Sequence, residues 1–105
     1  MIEIIKFKFS NKKLMLKAHN IRYHVFVIGQ NCPEEIEWEH EEESIHYLLS
    51  ENGEAKATAR YRQTLNGYKL ERFAVLNSDR GKGFGHKILK KILEDLIDCH
   101  GLIYL

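Results

Sequence analysis

Residues 80 to 85 read Arg-Gly-Lys-Gly-Phe-Gly, and three glycines at alternate positions behind an arginine suit a phosphorylated ligand. Gly81, Gly83 and Gly85 let the backbone turn tightly and approach a ligand with no side chain in the way. A helix beginning there has unpartnered first amides that can donate to anionic oxygens, and Arg80 adds a fixed charge. Lys82, Lys87, Lys90 and Lys91 fall in the first half of that helix and Glu94, Asp95 and Asp98 near its end. This is the reverse of what the macrodipole favours, at roughly 0.3–1 kcal/mol per terminal charge, and a bound diphosphate would offset the cost. Lys90 and Lys91 read more simply as a solvated face. The spacing is neither GxxxxGK[ST] nor GxGxxG, which excludes a P-loop and a dinucleotide fingerprint.

Other reactive side chains point to less. Cys32 and Cys99 lie far apart with no CxxC spacing, so they read as free thiols, and nothing places a histidine beside Cys32 to make it a nucleophile. His19 and His24 are five residues apart and share no helix face, so they make a poor metal pair and read as surface or core-edge residues. No metal is expected. Glu34 to Glu43 holds seven glutamates among ten residues and Trp38. It reads as a solvated loop pinned by the indole, or as an acidic rim that steers a cationic amine inward.

The elements that must position the loop follow from periodicity. Residues 2–9 alternate, with Ile5, Phe7 and Phe9 opposite Lys6 and Lys8, as in a half-buried strand. Ser10 or Asn11 can cap a helix, or two short ones, whose stripe of Leu14, Ala18, Ile21, Val25 and Ile28 ends at Gly29. Ser44 to Ser50 is a strand, Asn52-Gly53 a type I′ hairpin, and Ala55, Ala57, Ala59 and Tyr61 the one buried face of the next strand. Asn66-Gly67 marks a second hairpin, and Tyr68 to Leu76 feeds the glycine loop. A helix from Gly83 to Cys99 presents Phe84, Ile88, Leu89, Ile92, Leu93, Leu96 and Ile97 to the sheet, stops at Gly101, and returns to a last strand at Leu102 to Leu105.

With 105 residues there is room for one domain, and 44% hydrophobic content supports a small core. A net charge of +1 provides no general field for nucleic acid or an anionic membrane, so anion binding must be local. The N-terminal segment lacks the apolar run of a signal peptide, and a cytoplasmic protein is the default expectation.

RGKGFG resembles the RxxGxG acyl-CoA signature of the GNAT superfamily of N-acetyltransferases, and LERFAVLNSDRGKGFG is similar to that family's fourth strand running into its loop, with four residues between Val75 and Arg80. Arg22 and the VFVIGQNCP segment are similar to the small bacterial ElaA-type branch, with Gly29 where that branch leads one to expect an acidic residue. The resemblance extends over residues 1–105. It implies an α/β (α+β) fold, a mixed and mostly antiparallel sheet flanked by helices, acting as a single acetyl-CoA-binding domain. It also implies acetyl-CoA as co-substrate, a small amine or peptide as acceptor, and no nucleic acid or membrane partner.

Carried over by position, Phe73, Ala74 and Val75 would meet the pantetheine arm through their backbone. Arg80, Gly81, Lys82, Gly83, Phe84 and Gly85 would cradle the pyrophosphate, with Phe84 also in the core. A backbone N–H near Val75 would stabilise the oxyanion. Glu71, expected on the strand face of Phe73 and Val75 with a burial-raised pKa, is the first choice for the base, and a cross-strand salt bridge is the other reading of it. His46 is a weaker candidate. The family continues past its fifth strand with a helix carrying a tyrosine and two more strands, for which Tyr104 is no match. The expectation is therefore a C-terminally shortened member with an exposed sheet edge, which a second copy could cover. The runner-up function is an acyl-CoA-binding module without turnover, or a degenerate or truncated acetyltransferase.

Overall fold

A computed structural model describes residues 1–29, 39–99 and 101–105. Five strands form one sheet in sequence order: β1 (Ile2–Lys8), β2 (Ile45–Glu51), β3 (Glu54–Thr64), β4 (Gly67–Val75) and β5 (Leu102–Tyr104). The first four are antiparallel and β5 runs parallel to β4. Asn52 and Gly53 both take positive φ, 52° and 86°, as a type I′ turn requires. The second hairpin turns one residue earlier than its Asn-Gly suggests: Thr64 pairs with Gly67, so Leu65 and Asn66 form the loop and Gly67 opens β4.

Helix α1 (Lys12–Arg22) starts at Asn11, whose side chain accepts from the Leu14 amide at 3.2 Å, and continues as a π-helical segment over Tyr23–Ile28. It buries Met15, Ala18, Ile21 and Val25 against Phe7, Leu48 and Ala74 on one side of the sheet. Helix α2 (Phe84–Asp95) buries Phe84, Ile88, Ile92 and Leu96 against Tyr47, Leu49, Ala57, Ala59 and Leu70 on the other. The α2 stripe is narrower than expected, because residues four apart fall on one line along the helix while Leu93 and Ile97 lie further round and stay 42% and 78% exposed. The helix also ends well before Gly101, in a turn closed by the Cys99 amide on the Leu96 carbonyl.

With a helix on each side, β3 has two buried faces rather than one. Thr58 and Arg60 are as inaccessible as Ala57 and Ala59. A register shift opposite Leu49 and Ser50 leaves Lys56 as the extra residue in β3, which turns Ala55 to the α1 side.

Candidate functional site: a glycine loop, a bulged strand and a cleft

The glycine loop joins β4 to α2. After Val75, a single 3-10 turn over Asn77–Asp79 is closed by the Asp79 amide on the Leu76 carbonyl at 2.8 Å. Buried Asp79 anchors it: the Lys82 ammonium bonds its carboxylate at 3.0 Å and, with Lys56 at 3.6 Å, holds that carboxyl below its ordinary range. Lys82 also lies 3.8 Å from Glu51, so its charge is shared with the protein's own carboxylates. Arg80 is exposed and has no carboxylate partner among the described residues.

Gly81 and Gly83 adopt φ of 86° and 77°, the left-handed region that favours glycine, and a Cβ built on either would meet nothing within 4 Å. The space above this backbone is open. The first helical bond runs from the Lys87 amide to the Gly83 carbonyl at 3.0 Å, and the amides from Gly81 to His86 donate to no carbonyl of the described residues. Phe84 is buried under the loop at 3% exposure and ties it to the α2-side core.

The strand feeding this loop is bulged. Thr58 pairs with Ala74 and Arg60 with Glu71, so Arg72 and Phe73 together oppose Ala59, and Arg72 takes φ of 60°. The bulge reverses which residues share a face. Phe73 and Val75 pack on the α2 side, Ala74 joins the α1 side, and Glu71 meets Arg60 and Arg62, not Phe73 and Val75. The expectation that Glu71 shares a face with Phe73 and Val75 is thus corrected, since simple alternation fails across an extra residue. β5 pairs with β4 only from Gly67 to Lys69, so beyond Lys69 the outer edge of β4 has no strand partner among the described residues.

Glu71 accepts from Arg62 Nε at 2.8 Å and Arg60 Nη2 at 3.0 Å. Burial alone would push its carboxyl up, but the hydrogen bond from Arg62 and the charge of Arg60 hold it below the usual carboxylate range. The expected raised pKa is therefore also corrected, and the geometry is that of the cross-strand salt bridge. Arg60 reaches on to Glu41 at 3.3 Å, and Glu41 pairs with Arg22 of α1 and lies 3.4 Å from His19 Nε2. Burial would raise the Glu41 carboxyl too, but His19 beside it and the hydrogen-bonded Arg22 take it down to about 2. His46 is fully buried, stacked on Phe7, with Nε2 3.0 Å from the Glu41 carbonyl, a structural arrangement.

A cleft of about 530 Å³ opens between the π-helical segment and the end of β4. His24, Val25 and Gly29 form one wall, and Leu76, Asn77, Ser78 and Arg80 the other. A side chain at Gly29 would place its Cβ 2.6 Å from the Val25 carbonyl oxygen, so this backbone requires glycine where the ElaA-like pattern suggests an acid.

This arrangement, a bulged β4 running through a glycine loop into a helix, has known counterparts. Residues 14–105 match the Acetyltransferase (GNAT) family. The chain belongs to this family. It is 35% identical over 84 residues to the uncharacterized N-acetyltransferase YjcF of Bacillus subtilis (strain 168), in an alignment spanning 79% of this chain and 60% of that protein. Escherichia coli ElaA superposes with a TM-score of 0.82 at 26% identity, covering 94% of this chain and 72% of ElaA. An acyl-CoA N-acyltransferase from Pseudomonas aeruginosa shares the fold with a TM-score of 0.85 at 17% identity, covering 98% of this chain and 75% of that one.

The GNAT fold brings Phe73, Ala74, Val75, Arg80, Gly81, Lys82, Gly83, Phe84 and Gly85 into one continuous stretch at the end of β4 and the start of α2. Glu71 stands apart from it, locked to β3. Sequence reasoning did not find the Arg22–Glu41–Arg60–Glu71 cluster or the cleft wall at His24, because the partners are distant in sequence and only tertiary packing joins them. One signal was available: Arg60 and Arg62 alternate with Ala59 and Tyr61 in β3, and a strand covered on both faces must match such arginines with carboxylates. The readings of Cys32 and Trp38 lie outside the described residues. No group of three or more metal-ligating side chains is present among the described residues, and no helix there is long and apolar enough to cross a membrane.

Proposed function

We propose that this GNAT chain binds acetyl-CoA along the end of β4 and on the loop from Arg80 to Gly85, and transfers the acetyl group to a primary amine. The observation that carries this reading is the set of amides from Gly81 to His86, which donate to no carbonyl of the described residues beneath open space. Such donors, with the exposed Arg80, fit a diphosphate. The unpaired outer edge of β4 offers backbone groups of Phe73, Ala74 and Val75 to an amide-bearing arm, and a backbone N–H near Val75 could steady the oxyanion. The amine would attack the thioester directly, so the protein's tasks are to align the two, exclude water and take one proton.

A second reading, an acyl-CoA-binding module without turnover, is favoured by one observation. Glu71, the carboxylate that the family resemblance puts forward as the base, is committed to two arginines and held in its weakly basic form. Thermal unfolding with CoA and thiol release from acetyl-CoA across a panel of primary amines separate the two. A CoA-dependent rise in Tm with amine-dependent thiol release is the expected result. A rise in Tm with no release supports the second reading, and no rise in Tm removes both.

A further inference from the structure

Among the described side chains lining the cleft beside the glycine loop, His24 is the one with a basic nitrogen lone pair; its described neighbours there are apolar, amide, hydroxyl or guanidinium groups. The imidazole is held in a defined orientation. Its Nδ1 lies 2.8 Å from the Asn20 carbonyl oxygen, which can only accept, so Nδ1 carries the proton. That bond fixes the tautomer and leaves Nε2, on the far edge of the ring, as an acceptor. The ring is exposed, within the π-helical segment that packs against β4.

Among the described residues, the two buried glutamates are otherwise engaged, Glu71 by Arg60 and Arg62 and Glu41 by Arg22 and Arg60. Of charged or titratable groups, Tyr23 meets the His24 ring edge-on at 5.9 Å and Arg80 lines the cleft across from it; α1 carries Lys12, Lys13, Lys17, His19 and Arg22, and β4 carries Tyr68, Lys69, Glu71 and Arg72.

We propose that His24 Nε2 is the general base of the acetyl transfer, with Asn20 as the residue that positions it. This rests on the acetyltransferase reading above. The amine nitrogen bonds to the thioester carbonyl carbon and its proton passes to Nε2. The C–S bond breaks, and the thiolate leaves and is protonated from the imidazolium through solvent. Amine and acetyl-CoA thus give an acetamide and free thiol, and neutral imidazole is restored.

The test compares the full chain with His24→Asn, which keeps a donor near the position of Nδ1 and removes Nε2. Thiol release is followed with acetyl-CoA and spermidine, a lysyl peptide or an aminoglycoside as acceptor, and CoA affinity is measured separately. The expected result is a fall in kcat of about 100-fold, loss of the acid limb of the pH profile, and CoA affinity unchanged within about twofold. Unchanged kcat and pH profile overturn the assignment. So does a parallel loss of CoA affinity, which would mark a structural role.

A long-range ¹H–¹⁵N spectrum of the histidines gives a readout independent of turnover: His24 should be the Nδ1–H tautomer, and an Nε2–H signal overturns the proposal. A wild-type chain that binds CoA and releases no thiol with any acceptor instead fails the acetyltransferase reading and the base with it. Turnover that survives His24→Asn fails the base alone.

Discussion

One glycine and one carboxylate carry opposite burdens. Gly83 holds a left-handed backbone under open space, so Gly83→Val fills that space and strains the turn at once. A side chain in this region costs roughly 1–2 kcal/mol. The variant should remain folded by circular dichroism and lose at least about tenfold in CoA affinity by calorimetry. The carboxylate is Glu41. Its pKa is depressed to about 2 in the folded chain from an ordinary 4.5, so its contribution to stability is present above pH 4.5 and is lost as the pH falls toward 2. The shift corresponds to roughly 3 kcal/mol at most. Urea midpoints should drop across that window. In Glu41→Gln the drop should be much smaller, and at neutral pH that variant should already be less stable by about 3–5 kcal/mol, because Arg22 and Arg60 lose a buried partner. An unchanged acid profile would show that the cluster does not hold the fold.

At the level of elements, the hairpins, the caps and the loop-to-helix transition were legible because each is written in adjacent residues: Asn52-Gly53, Asn11, and Arg80 to Gly85. The bulges at Lys56 and at Arg72–Phe73 were not, since nothing in EAKA or ERFA marks an extra residue until the neighbouring strand sets the register. That one unreadable residue decided the most consequential site expectation, the face of Glu71. The glycine of the second hairpin was seen as a turn signal, yet its structural reason lies elsewhere. A Cβ on Gly67 would sit 2.1 Å from the Leu102 carbonyl oxygen, so glycine there lets β5 approach β4. Gly67→Ala should detach β5 while sparing the β2–β3 and β3–β4 ladders. Amide exchange would then accelerate at Leu102 to Tyr104 with little change in the protection of β3.

For the whole molecule, a net charge of +1 means that a polyanionic ligand is drawn by the loop and not by the protein at large. Attraction from one exposed arginine and a shared lysine is short in range. CoA affinity should therefore weaken as salt rises from about 0.01 to 0.1 M, over which the screening length falls from about 30 to 10 Å. Arg80→Gln should flatten that dependence, and an equally steep dependence in the variant would place the attraction elsewhere.

The two sides of the sheet are built from different materials: α2 rests on aliphatic and aromatic side chains, whereas beneath α1 two arginines and two glutamates are interlocked within the apolar layer. Aliphatic contacts lose strength on chilling, while the penalty for dehydrating charges grows smaller as the temperature climbs. The molecule thus carries a thermal asymmetry through its thickness. On warming, the layer beneath α1 gains on the one that holds the start of α2 and the glycine loop, whose aliphatic contacts level off.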